Sequence, residues 1–175
     1  MQLTSTTLVA IGVPLLIYLA LIVPTLARLF KGTRPDEITP EWLQKFSPSI
    51  YLPMELLMSG EDFAFLSSQP GFDLSLYRKL RRDRIRIFRQ YLNRMILDFN
   101  QLHLAARLAI AQSPEDHSAL LPGLITLKLR FSLAVLAAEF RCTLCLFGVK
   151  TLGARRLLLH LEALNAQFQT VKLAV

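Results

Sequence analysis

Between Asp73 and Gln112 the chain runs for 40 residues without a glycine or proline. Apolar side chains recur there at spacings of alternately three and four: Ile85, Phe88, Leu92, Met95, Phe99, Leu102, Ala106 and Ala109. A strand repeats every second residue and cannot use such a seam, whereas a long packed helix can; at 1.5 Å per residue it would measure roughly 60 Å. Asp73 is placed to cap its start. Ser113-Pro114-Glu115-Asp116 supplies an N-cap, a proline at the first helical position and two acids for the positive end of a following helix, so a tight helical hairpin is predicted. Pro122-Gly123 should interrupt that second element, leaving a main helix from about Leu124 to Phe147.

The main helix has two apolar faces on a 100° wheel. One is bulky (Leu129, Leu133, Leu136, Phe140, Leu144, Phe147) and the other narrow (Leu127, Phe131, Ala134, Ala138, Cys142, Cys145), with Lys128, Glu139, Arg130 and Arg141 dividing them. A helix apolar on opposite sides is expected to be sandwiched between two partners, the narrow side permitting close approach. After a turn at Gly148–Gly153, Ala154 to Val171 repeats the seam with Leu157, Leu161, Leu164, Phe168 and Val171. The pattern therefore predicts an all-α fold in which residues 73–175 form an antiparallel bundle of three long helices.

Upstream the pattern changes twice. Leu8 to Ala27 is 20 residues without a charge, about 30 Å as a helix, which matches the hydrocarbon core of a bilayer. The preceding MQLTSTT carries no Lys or Arg, while Arg28, Lys31 and Arg34 follow the apolar run; that order opposes a cleaved signal peptide and places the N-terminus outside. Residues 1–30 thus read as one transmembrane anchor. Residues 31–72 read as a Pro-rich linker with short helices. There Thr39-Pro40-Glu41 is a cap, a first-turn proline and a first-turn acid, Pro53 opens another short helix, and Ser59 with Asp62 suggests a capping box. Trp42, Phe46 and Tyr51 suit either an interfacial belt or packing under the bundle.

Composition sharpens this picture in one respect. The chain is 53% hydrophobic, with mean hydropathy +0.39 and a pI near 9.9, which fits an anchor joined to a compact domain better than an ordinary soluble protein. The charge is concentrated: Arg78, Lys79, Arg81, Arg82, Arg84, Arg86, Arg89 and Arg94 against Asp83 account for +7, the formal charge of the whole chain. Arg78, Lys79, Arg82, Arg86 and Arg89 share one arc of the helix away from the seam, a candidate binding stripe that the bundle does not need. Arg81 and Arg84 lie on the seam side, placed to meet Glu55, Glu61 or Asp62. Beside a membrane, anionic lipid suits the stripe, at about 1 kcal/mol per cation. Nucleic acid is disfavoured, because no helix-turn-helix, zinc-finger or stacking-aromatic motif accompanies the charge.

No constellation points to catalysis. Cys142 and Cys145 have the spacing of a redox or zinc pair but fall in mid-helix, and His103, His117 and His160 occur singly, so the cysteines read as small core residues and no metal or cofactor is expected. Asp98 follows Arg94 by four, as a surface ion pair would, and His103 reads as a helix-surface histidine. Phosphate loops, HExxH and GxSxG are absent from the sequence. Arg89→Ala is expected to leave stability nearly unchanged.

The layout resembles, in a generic way, small single-pass bacterial inner-membrane proteins with a helical cytoplasmic domain. The expectation is a non-enzymatic interaction or scaffold module that docks a protein partner or a second copy, with an anionic-lipid- or nucleic-acid-binding module as the rival. Phe131 to Val149 is not expected to form a second span, since Glu139 and Arg141 each cost about 2.5–3.5 kcal/mol on the insertion scale while each Leu or Phe returns about 0.3–0.6. A reporter fused after Val175 should be active only in the cytoplasm, and periplasmic activity would refute the orientation.

Overall fold

The computed structural model describes residues 19–20, 22–32, 38–57, 65, 68–69, 73–112, 120–146 and 158–166. Among them the regular structure is helix, with no strand. In chain order the elements are α1 (22–30), α2 (Pro40–Lys45), a 3-10 turn (Pro48–Tyr51), α3 (Pro53–Leu57), α4 (Leu74–Gln112), α5 (Leu121–Leu146) and α6 (158–166).

Local chemistry starts these helices as the sequence implies. Thr39 caps α2 by accepting the Trp42 N–H, with Pro40 and Glu41 in the first turn. Asp73 caps α4, its carboxylate accepting from the Ser75 N–H at 2.9 Å and from the Ser75 hydroxyl. Two features depart from expectation. Ser47 and Pro48 open a 3-10 turn that ends on a buried Tyr51. Pro122-Gly123 does not interrupt α5 but lies in its first turn, where the missing proline N–H costs nothing. The predicted capping box at Ser59, the turn at Gly148–Gly153 and the cap at Ser113-Pro114 lie outside the described residues.

The seam of α4 is buried as predicted, from Ile85 through Ala106, with Ala109 packed at its edge. Burial goes further than a seam. From Leu92 to Ala106 the helix also buries Ile96, Asp98, Asn100, His103 and Ala105, so its middle is enclosed over more than half of its circumference, with Arg94 and Leu97 on the open arc. Asp98 is therefore no surface ion-pair partner and His103 no surface histidine. Three neighbours do the enclosing. α1 buries Thr25 and Leu29, Arg28 donates to Asn93 Oδ1 at 2.6 Å, and Asn100 donates back to the Arg28 carbonyl at 3.3 Å. The segment expected to be a linker contributes Tyr51 and Met54 to the core, with Ile38, Trp42, Leu43 and Phe46 packed against it. Trp42 and Phe46 lie against each other with ring centroids 5.1 Å apart and planes tilted by 36°, both half-buried against the core.

The third neighbour is α5. Arg89 meets Glu139, Phe99 meets Phe131 and His103 meets Leu124, so positions rise along α4 as they fall along α5 and the two helices are antiparallel. Phe99 and Phe131 are stacked face to face with ring centroids 3.8 Å apart, so each covers the other's apolar face where the helices meet. The narrow face of α5 is the buried one: Leu127, Phe131, Ala138 and Cys142 are in the core. Among the described residues the expected sandwich is not found. Leu129, Leu133 and Phe140 on the bulky face are 61%, 58% and 44% exposed, because one well-packed neighbour on the narrow side already satisfies the helix's position. Leu158, Leu161 and Leu164 of α6 join the same core. Leu157, Phe168 and Val171 lie outside the described residues.

Arg89 is the bond between the two long helices, its Nε 3.1 Å from Glu139 Oε2, with Glu139 only 8% exposed at the side chain. The expectation that Arg89 is dispensable is therefore overturned. Arg89→Ala should strand a buried carboxylate and cost about 3 kcal/mol, while Arg89→Met with Glu139→Leu should recover most of the loss. Thermal unfolding monitored by circular dichroism checks this; a parent-like Tm for Arg89→Ala would refute the buried pair.

Candidate functional site

The basic stripe occupies the first turns of α4. Arg78, Lys79, Arg82 and Arg86 are exposed, with Arg86 pairing with Asp83 at 3.2 Å and Arg82 Nε donating to the Arg78 carbonyl. Arg89 leaves the stripe, since it turns to Glu139 on α5. Four cations therefore remain on the surface arc. Arg81 is half-buried, with its Nη2 shielded from water and without a hydrogen-bond partner. Glu61 and Asp62, its expected partners, lie outside the described residues, as does the Glu55 side chain.

A second polar assembly is internal. Tyr51 donates its hydroxyl to Asp98 Oδ2 at 2.5 Å, and Arg94 Nε lies 3.1 Å from Asp98 Oδ1. Burial holds the Asp98 carboxyl above its usual range, although the Tyr51 hydrogen bond and Arg94 oppose the shift; the Tyr51 hydroxyl is also pushed up, by burial and then by Asp98. This is a latch on the inside of the fold, linking residues 47 apart in sequence. Cys142 is buried, its thiol raised to about 12 by burial and then by Glu139, the opposite of what a nucleophile or redox thiol requires. Among the described residues no group of three or more potential metal ligands converges.

The third assembly was not anticipated. Where the last turns of α4 face the first turns of α5, a cleft of about 240 Å³ is lined by His103, Arg107, Leu121, Leu124 and Ile125. His103 is 6% exposed and stacks against Phe99, with ring centroids 6.3 Å apart. Its ring meets the Leu124 main chain, and Nε2 is buried without a hydrogen-bond partner. Burial, then the charges of Lys128 and Arg107, lower its pKa to about 4, and the imidazole is neutral. Lys128 is itself lowered, by burial and by Arg107. The sequence did hold a signal: Phe99, His103 and Arg107 are spaced i, i+4, i+8, on the face that a hairpin partner must meet.

No family model, no curated protein and no solved structure matches this chain.

Because the folded His103 pKa of about 4 lies below its ordinary value of 6.5, neutral His103 stabilises the fold above about pH 6.5, and that contribution is lost as pH falls toward 4. Melting temperatures taken across that interval should fall less for His103→Phe than for the parent. Parallel profiles would show that His103 is not the group that titrates.

Proposed function

We propose that this chain is a membrane-anchored, non-enzymatic helical interaction module that docks a second copy of itself or another protein through α5. The observation that carries this reading is the bare face of α5. Ile125, Leu129, Leu133 and Phe140 stand on one side of the helix, directly opposite the side packed on α4, and all are exposed. Water contact with that many large apolar side chains in one row is unfavourable, and such rows mark interaction surfaces.

α5 is also long and apolar enough, by length and composition, to cross a membrane. Crossing is disfavoured by Lys128, Arg130 and Arg141, and by Glu139, whose partner Arg89 belongs to a different, strongly basic helix. The anchor is instead assigned to Leu8–Ala27, in an inner membrane with the N-terminus outside and the rest cytoplasmic. Two features support it: the uncharged run itself, and the exposed Leu19, Val23 and Phe30 at the end that α1 describes. Thr25 and Leu29 pack into the core, which would hold the body against the membrane face without a tether.

A second reading, binding of anionic lipid, rests on the exposed arc of Arg78, Lys79, Arg82 and Arg86, which a domain so held would bring within reach of headgroups.

Leu129→Asp with Leu133→Asp should abolish self-association of the full chain in detergent, measured by size-exclusion chromatography with light scattering, and leave the Tm unchanged. A parent chain that is monomeric, with or without those changes, sinks the self-docking form. Liposome association that survives the double variant and is removed by salt would favour the lipid reading.

A further inference from the structure

The exposed apolar row of α5 has two unlike edges. At 100° per residue Arg130 and Arg141, three turns and roughly 16 Å apart along the axis, return to the same edge of the row. Arg130 is exposed, Arg141 is half-buried, and among the described residues no carboxylate pairs with either. The other edge turns in toward α4: Ser132 and Glu139 are buried, Lys128 is half-buried, and Glu139 is held by Arg89. Between the edges, from Ile125 to Phe140, every side chain is uncharged. The face is an apolar ridge with water-facing cations along one side only.

Those edges discriminate among occupants. In an antiparallel pair of α5 helices like edges meet, so Arg130 and Arg141 of one copy would face the same arginines of the other. In a parallel pair unlike edges meet, and the arginines would face Lys128 and a Glu139 already committed to Arg89. Neither arrangement supplies an acid, which makes a second copy the weaker complement. A bilayer surface is met best by cations on both flanks of an apolar face, each reaching a headgroup, and α5 has them on one. A helix laid alongside fits, with its apolar seam on the ridge and carboxylates on the edge that meets Arg130 and Arg141.

We propose, resting on the reading of α5 as a docking face, that its preferred occupant is an amphipathic helix of a different protein, with an apolar seam at three- and four-residue spacing and two acidic residues three turns apart on one edge. The ridge supplies the apolar burial, while the arginines set register and disfavour a second copy.

Two synthetic helical peptides that share a leucine seam on an alanine background, and differ only in carrying Glu or Lys at two edge positions three turns apart, are the probes. Their binding to the full chain in phosphatidylcholine nanodiscs is read by fluorescence anisotropy at low ionic strength. The Glu peptide should bind about tenfold more tightly than the Lys peptide, by a margin that shrinks with salt, and should displace any self-association through this face. Arg130→Glu with Arg141→Glu should invert the order of the two peptides; Arg130→Glu alone, at an exposed position, should reduce the preference to about threefold. Equal binding of both peptides, lost in Leu129→Asp with Leu133→Asp, would overturn the acidic partner and leave α5 a docking face. Binding of neither would overturn it too, and the effect of that double variant on self-association then tells whether the docking face falls with it. Quenching of Leu129→Trp emission by brominated phosphatidylcholine, beyond that of the parent, would show the bilayer on this face and overturn both readings.

Discussion

The middle of α4 is enclosed by α1, by the segment around Tyr51 and by α5, and everything else in the fold follows from that enclosure. A helix surrounded on several sides must either be apolar all round or supply a partner for each polar group it buries. This one does the second for most of them, leaving His103 Nε2 without a hydrogen-bond partner. Asp98 is met by Tyr51 and Arg94, Asn100 by the Arg28 carbonyl, and His103 by the Leu124 main chain. Each partner comes from a different part of the chain or a different turn, so the polar groups specify which neighbour packs where, while the seam residues supply the apolar burial.

The same enclosure separates what periodicity revealed from what it did not. Seam spacing identified α4 to within a residue at its start and named seven of its buried apolar positions, missing Ile96, Ala105 and Ile110, because a seam depends only on one helix and its period. Thr39 and Asp73 were legible as caps because capping is local chemistry. Burial of Asp98, His103 and Tyr51 was not legible, since it depends on residues 47 or more apart meeting in space, or on the opposite arm of a hairpin. Arg89 shows the point most sharply. On a wheel it belongs with the exposed cations, and only the position of Glu139 on the facing helix removes it from them.

The two-faced pattern of α5 was read correctly as pattern and incorrectly as packing. An amphipathic period shows which side chains are apolar; it does not show that something covers them. The narrow side won the intramolecular contact because Ala138 and Cys142 let the backbones of α4 and α5 come close, bringing Phe99 onto Phe131. The bulky side is consequently what the molecule presents outward. The cleft at the connected end of this hairpin arises from the same geometry, since there His103 and Arg107 replace the small and aromatic residues that close the contact further along.

The contact between α1 and α4 also bears on how the chain is made. Arg28 reaches Asn93 and its carbonyl serves Asn100, across 65 and 72 residues. During synthesis at about 5–20 residues per second, the surface formed by Thr25 and Leu29 precedes its partner by roughly 3–14 s. Throughout that interval the first helix has emerged while the residues that will cover it are still unmade. Whatever shelters an apolar N-terminal helix in the cell, whether a targeting factor or the bilayer itself, thus has seconds in which to act before the protein can shelter it internally.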